Sequence, residues 1–239
     1  MHNNKIAQLL TSLALSLAAL SANAGVSAEQ AQALKTTLTP MGAERAANAD
    51  GSIPAWSGGY TTVPAGYQQG HRAYDPFSQD KPLYTITAAN MAEYQSKLSD
   101  GVIQLLKDNP QTFRIDVYPT RRTAAAPQWV YDNTLKSATG ASLEGDGLIV
   151  KGAYGGVPFP FPKSGVEVLW NHQLLSRGES THSKYKVWTT TADGQRVLAT
   201  AAEDEAQYPY YFKEGSPGSS GINYMMAIQL TYAPAFRAG

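Results

Sequence analysis

The chain has 239 residues with 19 basic and 19 acidic side chains in formal balance, so no cationic excess is available to neutralise phosphates, and nucleic-acid binding is disfavoured. No cysteine is present, which excludes a disulfide framework, a thiol nucleophile, thiolate metal sites and lipid attachment at an N-terminal cysteine. Charged residues make up only 16% against 21 Gly and 14 Pro, a loop-rich composition of one or two domains rather than a disordered polyelectrolyte.

Met1 to Ala24 reads as a secretory signal peptide, with Lys5 as the basic start, Ile6 to Leu20 as the apolar stretch and Ala22-Asn23-Ala24 as the cleavage site. At about 15 residues the apolar stretch is short of the roughly 20 that span a bilayer. Cleavage after Ala24 predicts a soluble periplasmic protein beginning at Gly25, and one that is not a lipoprotein.

Ser27 and Gln30 have capping-box spacing and open a short helix with Ala31, Leu34 and Leu38 on one face. Residues 42–82 carry Gly, Pro, Asn, Asp and Tyr without a sustained period, an irregular segment pinned by Trp56, Tyr60, Tyr67, Tyr74 and Phe77. Asn90 and Glu93 predict a cap for the next helix, whose stripe is Met91, Tyr94, Leu98, Val102 and Leu105, with Gly101 as a point of kinking or splitting. Phe113, Ile115 and Val117 alternate with Arg114 and Asp116, a half-buried strand. Gln128 to Asp132 and Leu148 to Lys151 read as further short strands.

Ser164 and Glu167 have capping spacing at the start of a helix with Val166, Leu169, Trp170 and Leu174 on one stripe and Arg177-Gly178 as its stop. Lys184 to Thr191 and Gln195 to Thr200 flank Asp193-Gly194, a hairpin signal. A two-residue turn there would pair Trp188 with Ala199 and Val187 with Thr200. Neither face of the hairpin is cleanly polar, which predicts cover on both sides. The last element alternates most regularly. Ile222, Tyr224, Met226, Ile228, Leu230 and Tyr232 share one side, and the length suits an antiparallel sheet that wraps.

Several motifs carry a family resemblance in order along the chain. They are the stretch from Leu38 to Gly59, Asp75-Pro-Phe with Lys81-Pro-Leu, and Tyr118 to Pro127. Trp129-Val-Tyr-Asp-Asn133 and Gly152-Ala-Tyr-Gly-Gly with Pro-Phe-Pro and Trp-Asn-His172 complete the set. Together these resemble a family of Gram-negative exported proteins of unknown function labelled outer-membrane lipoprotein-sorting-like. The resemblance implies an α+β fold: a curved antiparallel sheet, or incomplete barrel, with helices packed on its inner face around an apolar cavity. It also implies neighbours, namely efflux-type inner-membrane exporters and outer-membrane proteins. The family's chains run past the point corresponding to Arg237-Ala-Gly239, so the resemblance is to an N-terminal part. The expected division is a signal peptide over 1–24, an N-terminal helix and irregular segment over 25–86, and a helix with an incomplete half-barrel over 87–239.

On that division, Leu169, Trp170 and Leu174 on the helix and Tyr224, Met226, Ile228 and Leu230 on the strand are candidates to line a cavity. Such a cavity would take an acyl chain out of water at about 0.8 kcal/mol per methylene. The alternative is that they are ordinary core residues. Phe159 and Phe161 could be a docking strip for a protein partner, or a connector whose rings pack inward. His172 and His182 with Glu167 and Glu179 do not match a metal-ligand spacing, and Asn171 and His172 are expected to fix the helix against a loop. Arg121-Arg122 could meet a lipid head group or an acidic partner, or be a solvated pair. No phosphate loop or G-x-S-x-G elbow is present, so no catalytic residue and no cofactor are expected. The leading expectation is a non-enzymatic periplasmic carrier of lipid or another hydrophobic molecule. A protein-binding adaptor of an exporter or outer-membrane assembly complex is the alternative.

Overall fold

The computed structural model describes residues 25–68, 70–71, 75–218 and 225–234. The signal-peptide reading over 1–24, and Tyr74, Ile222 and Tyr224, lie outside the described residues. Helices and antiparallel strands are both present, an α+β arrangement. The chain groups into two compact units, one from residues 1–44 and 126–239 and the other from 45–125. No helix among the described residues is long and apolar enough to cross a membrane.

In the 45–125 unit, β1 (Tyr84–Ile86) pairs antiparallel with β2 (Ile115–Val117). Thr85 Oγ1 donates to Asp116 Oδ1 at 2.6 Å across the pair, and Ile86 is buried beside it. Trp56 anchors the irregular segment as expected: its ring is buried and its Nε1 donates to Ala124 O at 2.9 Å. Tyr67 remains exposed. The predicted single helix from Met91 to Leu105 is two elements. A 3-10 stretch over Met91–Lys97 gives way at Leu98, and α1 (Asp100–Asp108) restarts from Ser99, whose Oγ accepts from Val102 N. Asn90 does not cap the first stretch through its side chain; its Oδ1 accepts from Thr87 N instead. The restart changes which residues face inward. Leu106 is fully buried, at 0% exposed, while the predicted Leu105 is 48% exposed.

In the other unit, α2 (Ala28–Ala31) carries the expected capping box and runs on as a 3-10 turn to Lys35. Ala31 and Leu34 pack on Ala138 of α3 (Gln128–Gly140). The turn stops short of Leu38, which instead bridges to Glu44.

The start of α3 corrects the strand expected over Gln128 to Asp132. Trp129, Val130 and Tyr131 favour strands. Yet Val130, Thr134, Ser137 and Ala138 recur at helical spacing and are all buried. That stripe is mostly small and polar, so a search for large apolar residues misses it. Thr134 Oγ1 resolves its polarity by donating to Val130 O at 2.8 Å and accepting from Val157 N at 2.9 Å.

The main core joins Val130, Tyr154, Phe159, Leu174, Tyr210 and Tyr211. Its phenols donate to backbone carbonyls. Tyr210 Oη donates to Gly156 O at 2.9 Å and Tyr211 Oη to Leu174 O at 2.6 Å. Tyr154 Oη shares its proton between Pro209 O and Phe212 O, at 2.9 and 2.7 Å. Burial pushes the Tyr210 and Tyr211 phenols well above the ordinary tyrosine value, and for Tyr210 the neighbouring Tyr211 adds to it. The sign of the linkage follows. The unfolded chain gives up these protons from about pH 10 upward while the folded chain keeps them, so stability is level below that value and falls above it. The expected slope for each tyrosine is about 0.7 kcal/mol per pH unit at that value and approaches about 1.4 kcal/mol per pH unit one unit above it. Urea unfolding between pH 9 and 11 measures it, and Tyr210→Phe should remove about half of the slope.

A short hairpin pairs β3 (Ser142–Glu144) with β4 (Ile149–Lys151). Then α4 (Gly165–Gln173) starts from Ser164, whose Oγ accepts from Glu167 N at 3.3 Å. The Glu167 carboxylate accepts in return from Lys163 N, one residue outside the expected partner. The helix ends at Gln173, not at Arg177, because Leu174 leaves the helical conformation and is drawn into the core.

A three-stranded antiparallel sheet follows, in the order β5 (Ser180–Thr190), β6 (Arg196–Gln207), β7 (Met225–Tyr232). The β5–β6 turn has three residues at its tip, not two. Thr191 N donates to Gln195 O, Gly194 N donates to Thr191 O, and Gly194 takes φ +83°. This is a type I turn closed by a left-handed glycine. It shifts the pairing near the turn by one, so Trp188 opposes Leu198 rather than Ala199. A bulge between Val187 and Trp188 then restores the expected Val187–Thr200 pair. A second irregularity, between Ala201 and Ala202, sets Tyr232 opposite Ala201 while Leu230 opposes Ala202. Tyr232 therefore leaves the side it was expected to share with Met226, Ile228 and Leu230. The expected cover on both sides of the hairpin is not found either, since most of β5 and all of β7 are exposed.

Candidate functional site

Directly opposed residues in an antiparallel sheet share a face. Reading across the strands, Thr181, Ala206 and Met226 form one row. Ser183, Asp204 and Ile228 form the next, and Tyr185, Ala202 and Leu230 the third. Val187 extends the β5 side of the same face. The central strand contributes Ala202 and Ala206, both buried, with Ala202 between the exposed Tyr185 and Leu230 and Ala206 between the half-buried Thr181 and the exposed Met226. With strands about 4.8 Å apart, the outer two stand roughly 10 Å from each other, so this face is a shallow trough with an alanine floor. Ile228 is 56% exposed, and Tyr185, Val187, Met226 and Leu230 are open to solvent as well. Asp204 is the one carboxylate on the floor, between Ser183 and Ile228.

The opposite face is ionic. His182 Nε2 lies 2.6 Å from Glu203 Oε1, and Lys184 Nζ lies 3.2 Å from the same oxygen. His182, and then Lys184, hold the Glu203 carboxyl below the usual range. Such exposed pairs add little stability but keep that side in water. The sheet is therefore sided, and Tyr185, Val187, Met226, Ile228 and Leu230 on its apolar side are open to solvent. A contiguous exposed apolar patch of this kind marks an interaction surface.

The residues singled out from sequence do not all meet here. Met226, Ile228 and Leu230 lie together in the trough. The helix residues go elsewhere. Leu174 is 5% exposed within the core, against Tyr211 and its neighbours, and is a packing residue. Trp170 packs on the same core and donates its Nε1 to Gly147 O at 2.8 Å, tying α4 to the β3–β4 turn. Leu169 is 55% exposed on α4. No residue of β7 belongs to the core that receives Trp170 and Leu174.

The docking-strip reading of Phe159 and Phe161 is corrected in the same way. Phe159 is buried in the core, and Phe161 packs against the cluster of Ala31, Leu34 and Ala138. Asn171 clamps that connector, accepting from Phe159 N at 2.9 Å and donating to Phe159 O at 2.7 Å. The four candidate ligands of a metal are engaged or placed separately. Glu167 caps α4, Glu179 accepts from Lys213 N, His182 meets Glu203, and His172 sits in the last turn of α4. Among the described residues, no group of three or more such side chains could hold a metal ion.

Sequence reasoning missed Tyr185 and Val187, the far wall of the trough. Their strand alternates only weakly, with Thr181 and Ser183 on the same side. The signal that places them is the Asp193-Gly194 turn, which fixes their pairing with Thr200 and Ala202.

A family model described as "Protein of unknown function (DUF1329)" matches residues 85–239. An uncharacterized protein of Pseudomonas aeruginosa is 37% identical over 227 residues, which cover 95% of this chain and 50% of that relative. The chain thus spans about half the length of the curated relative it matches. No solved structure matches.

Proposed function

We propose, for a chain that belongs to the DUF1329 family of proteins of unknown function, that it is a non-catalytic accessory of envelope transport that binds a hydrophobic, lipid-like molecule on the trough face of β5–β7. It is exported to the periplasm, with cleavage after Ala24. The observation that carries this reading is the exposed apolar row of Met226, Ile228 and Leu230 on β7, with Leu230 facing Tyr185 across Ala202 and Val187 next along β5. An acyl chain lying in the trough gains about 0.8 kcal/mol for each methylene it removes from water. Methionine at one end adapts to chains of different shape. The finer architecture, an incomplete barrel closing over such a ligand, belongs to the same proposal. The register shifts at Val187/Trp188 and Ala201/Ala202 support it, since bulges bend and twist a sheet.

A second reading, a protein-binding adaptor of an exporter or outer-membrane complex, is favoured by the outer edge of β7. No described strand pairs with it, and Met225 to Tyr232 carries no charge and no proline to block strand addition. Native mass spectrometry of protein purified from cells tests the two. A carrier retains a lipid-like adduct that Ile228→Asp with Leu230→Asp removes and Leu169→Asp leaves in place. A protein free of lipid that co-elutes with an inner-membrane exporter overturns the carrier reading in favour of the adaptor.

A further inference from the structure

The 45–125 unit holds a cleft of about 260 Å³ whose lining includes both Arg121 and Arg122. No acidic residue is among its lining residues. Adjacent residues of an extended chain normally point to opposite sides, so two consecutive arginines on one cleft need an explanation. Their neighbours supply it. Asp80 takes one edge of the Arg121 guanidinium in a fork, with Nε at 2.9 Å and Nη2 at 2.6 Å from the two carboxylate oxygens. The guanidinium carbon lies 4.5 Å from the centre of the Phe77 ring, and Tyr60 meets that ring edge-on at 5.4 Å. Arg121 is thus fixed by an ion pair on one edge and an aromatic face beneath. Its Nη1 makes no hydrogen bond to the described residues, so two N–H donors remain for a ligand. Arg122 is oriented by the backbone carbonyls of Arg45, Ala46 and Pro54, at 3.2, 3.4 and 3.3 Å from its Nη1. Ser57, Thr120 and Thr123 are hydroxyl-bearing residues of the same lining.

We propose that this cleft binds the phosphate of a small phosphorylated molecule or of an anionic lipid head group. A carboxylate is satisfied by a single guanidinium fork. The open Nη1 edge of Arg121, the positive charge of Arg122 fixed beside it and the hydroxyl-bearing residues of the lining suit a phosphate, whose oxygens point in several directions. The Tyr60–Phe77 pair gives the attached group an apolar surface on which to rest. The site lies wholly within residues 45–125 and does not depend on the reading of the β5–β7 trough.

The test uses the whole chain at low ionic strength, where exposed charge is least screened. Calorimetric titration with inorganic phosphate and with glycerol phosphate is run beside co-sedimentation with phosphatidylglycerol and phosphatidylcholine vesicles. Saturable binding of the free phosphates, of the phosphatidylglycerol vesicles, or of both supports the site and identifies the source. Arg121→Gln is expected to weaken binding about tenfold or more, as loss of charged hydrogen bonds does. Arg121→Lys should weaken it comparably despite keeping the charge, because the fork is lost. Leu105→Ala, on the exposed side of α1, is the neutral control. Thr123→Val, which leaves the Asp80 pair intact, keeps the test open should Arg121→Gln fail to fold, with an expected weakening of about threefold to tenfold. Absence of binding to all four probes, or an affinity unchanged in Arg121→Gln or in a folded Thr123→Val, overturns the proposal.

Discussion

Gly156→Ala should destabilise the unit built from 1–44 and 126–239 by about 3 kcal/mol, read as a fall in its urea midpoint at unchanged slope. The reason is distance. A methyl at this position would lie 2.5 Å from Thr134 N, 2.7 Å from Thr134 Oγ1 and 2.9 Å from Val130 O. These atoms belong to α3, whose hydrogen bonds hold them, so they cannot yield as a flexible side chain would. The displaced Thr134 hydroxyl is also the one that satisfies Val157 N. Gly156 O receives the Tyr210 hydroxyl, so moving this backbone weakens a second buried bond. A mutant within about 0.5 kcal/mol of the parent would mean that α3 and the 152–157 loop are not pressed together.

The second large effect separates Leu106 from its neighbour in the 45–125 unit. Leu106→Ala should cost about 2–5 kcal/mol, the range for emptying a fully buried leucine site. Leu105→Ala should stay within about 0.5 kcal/mol, as an exposed helical position does. Equal losses at the two positions, measured by chemical denaturation, would place the helix about its axis differently from the structure. The pair matters because the unbroken stripe from Met91 onward picks Leu105, and only the restart at Ser99 picks Leu106.

That case shows where local pattern sufficed and where it failed. Caps are local, and Ser27 with Gln30 and Ser164 with Glu167 act at the ends where their spacing puts them. The alternation of Met226, Ile228 and Leu230 is equally local and predicts their common face. The α3 helix was hidden because its inward stripe is Thr134, Ser137 and Ala138, small or polar residues, and because the close approach of Gly156 to Thr134 comes from a distant part of the chain. The fate of Leu174 was hidden for a similar reason. Its stripe position shows that it is buried, not that Tyr211, 37 residues later, would be its partner. The far wall of the trough pairs as the Asp193-Gly194 signal implies, because the bulge at Val187/Trp188 cancels the extra residue of the turn. Membership in a family of unknown function accords with the motifs.

One of the two units is interrupted in sequence: α2 is made early in synthesis, while α3, which it packs against, follows the whole of residues 45–125. The intervening unit is continuous and can begin to fold as soon as it has been synthesised. The interrupted unit must wait, holding Ala31 and Leu34 exposed until Ala138 emerges, and then close a long loop at an entropic cost that grows only slowly with its length. Prior folding of the insert shortens that loop, because it turns a flexible chain into a fixed span between residues 44 and 126. The order of emergence therefore makes the later unit depend on the earlier one for its speed of maturation, even where its final contacts do not.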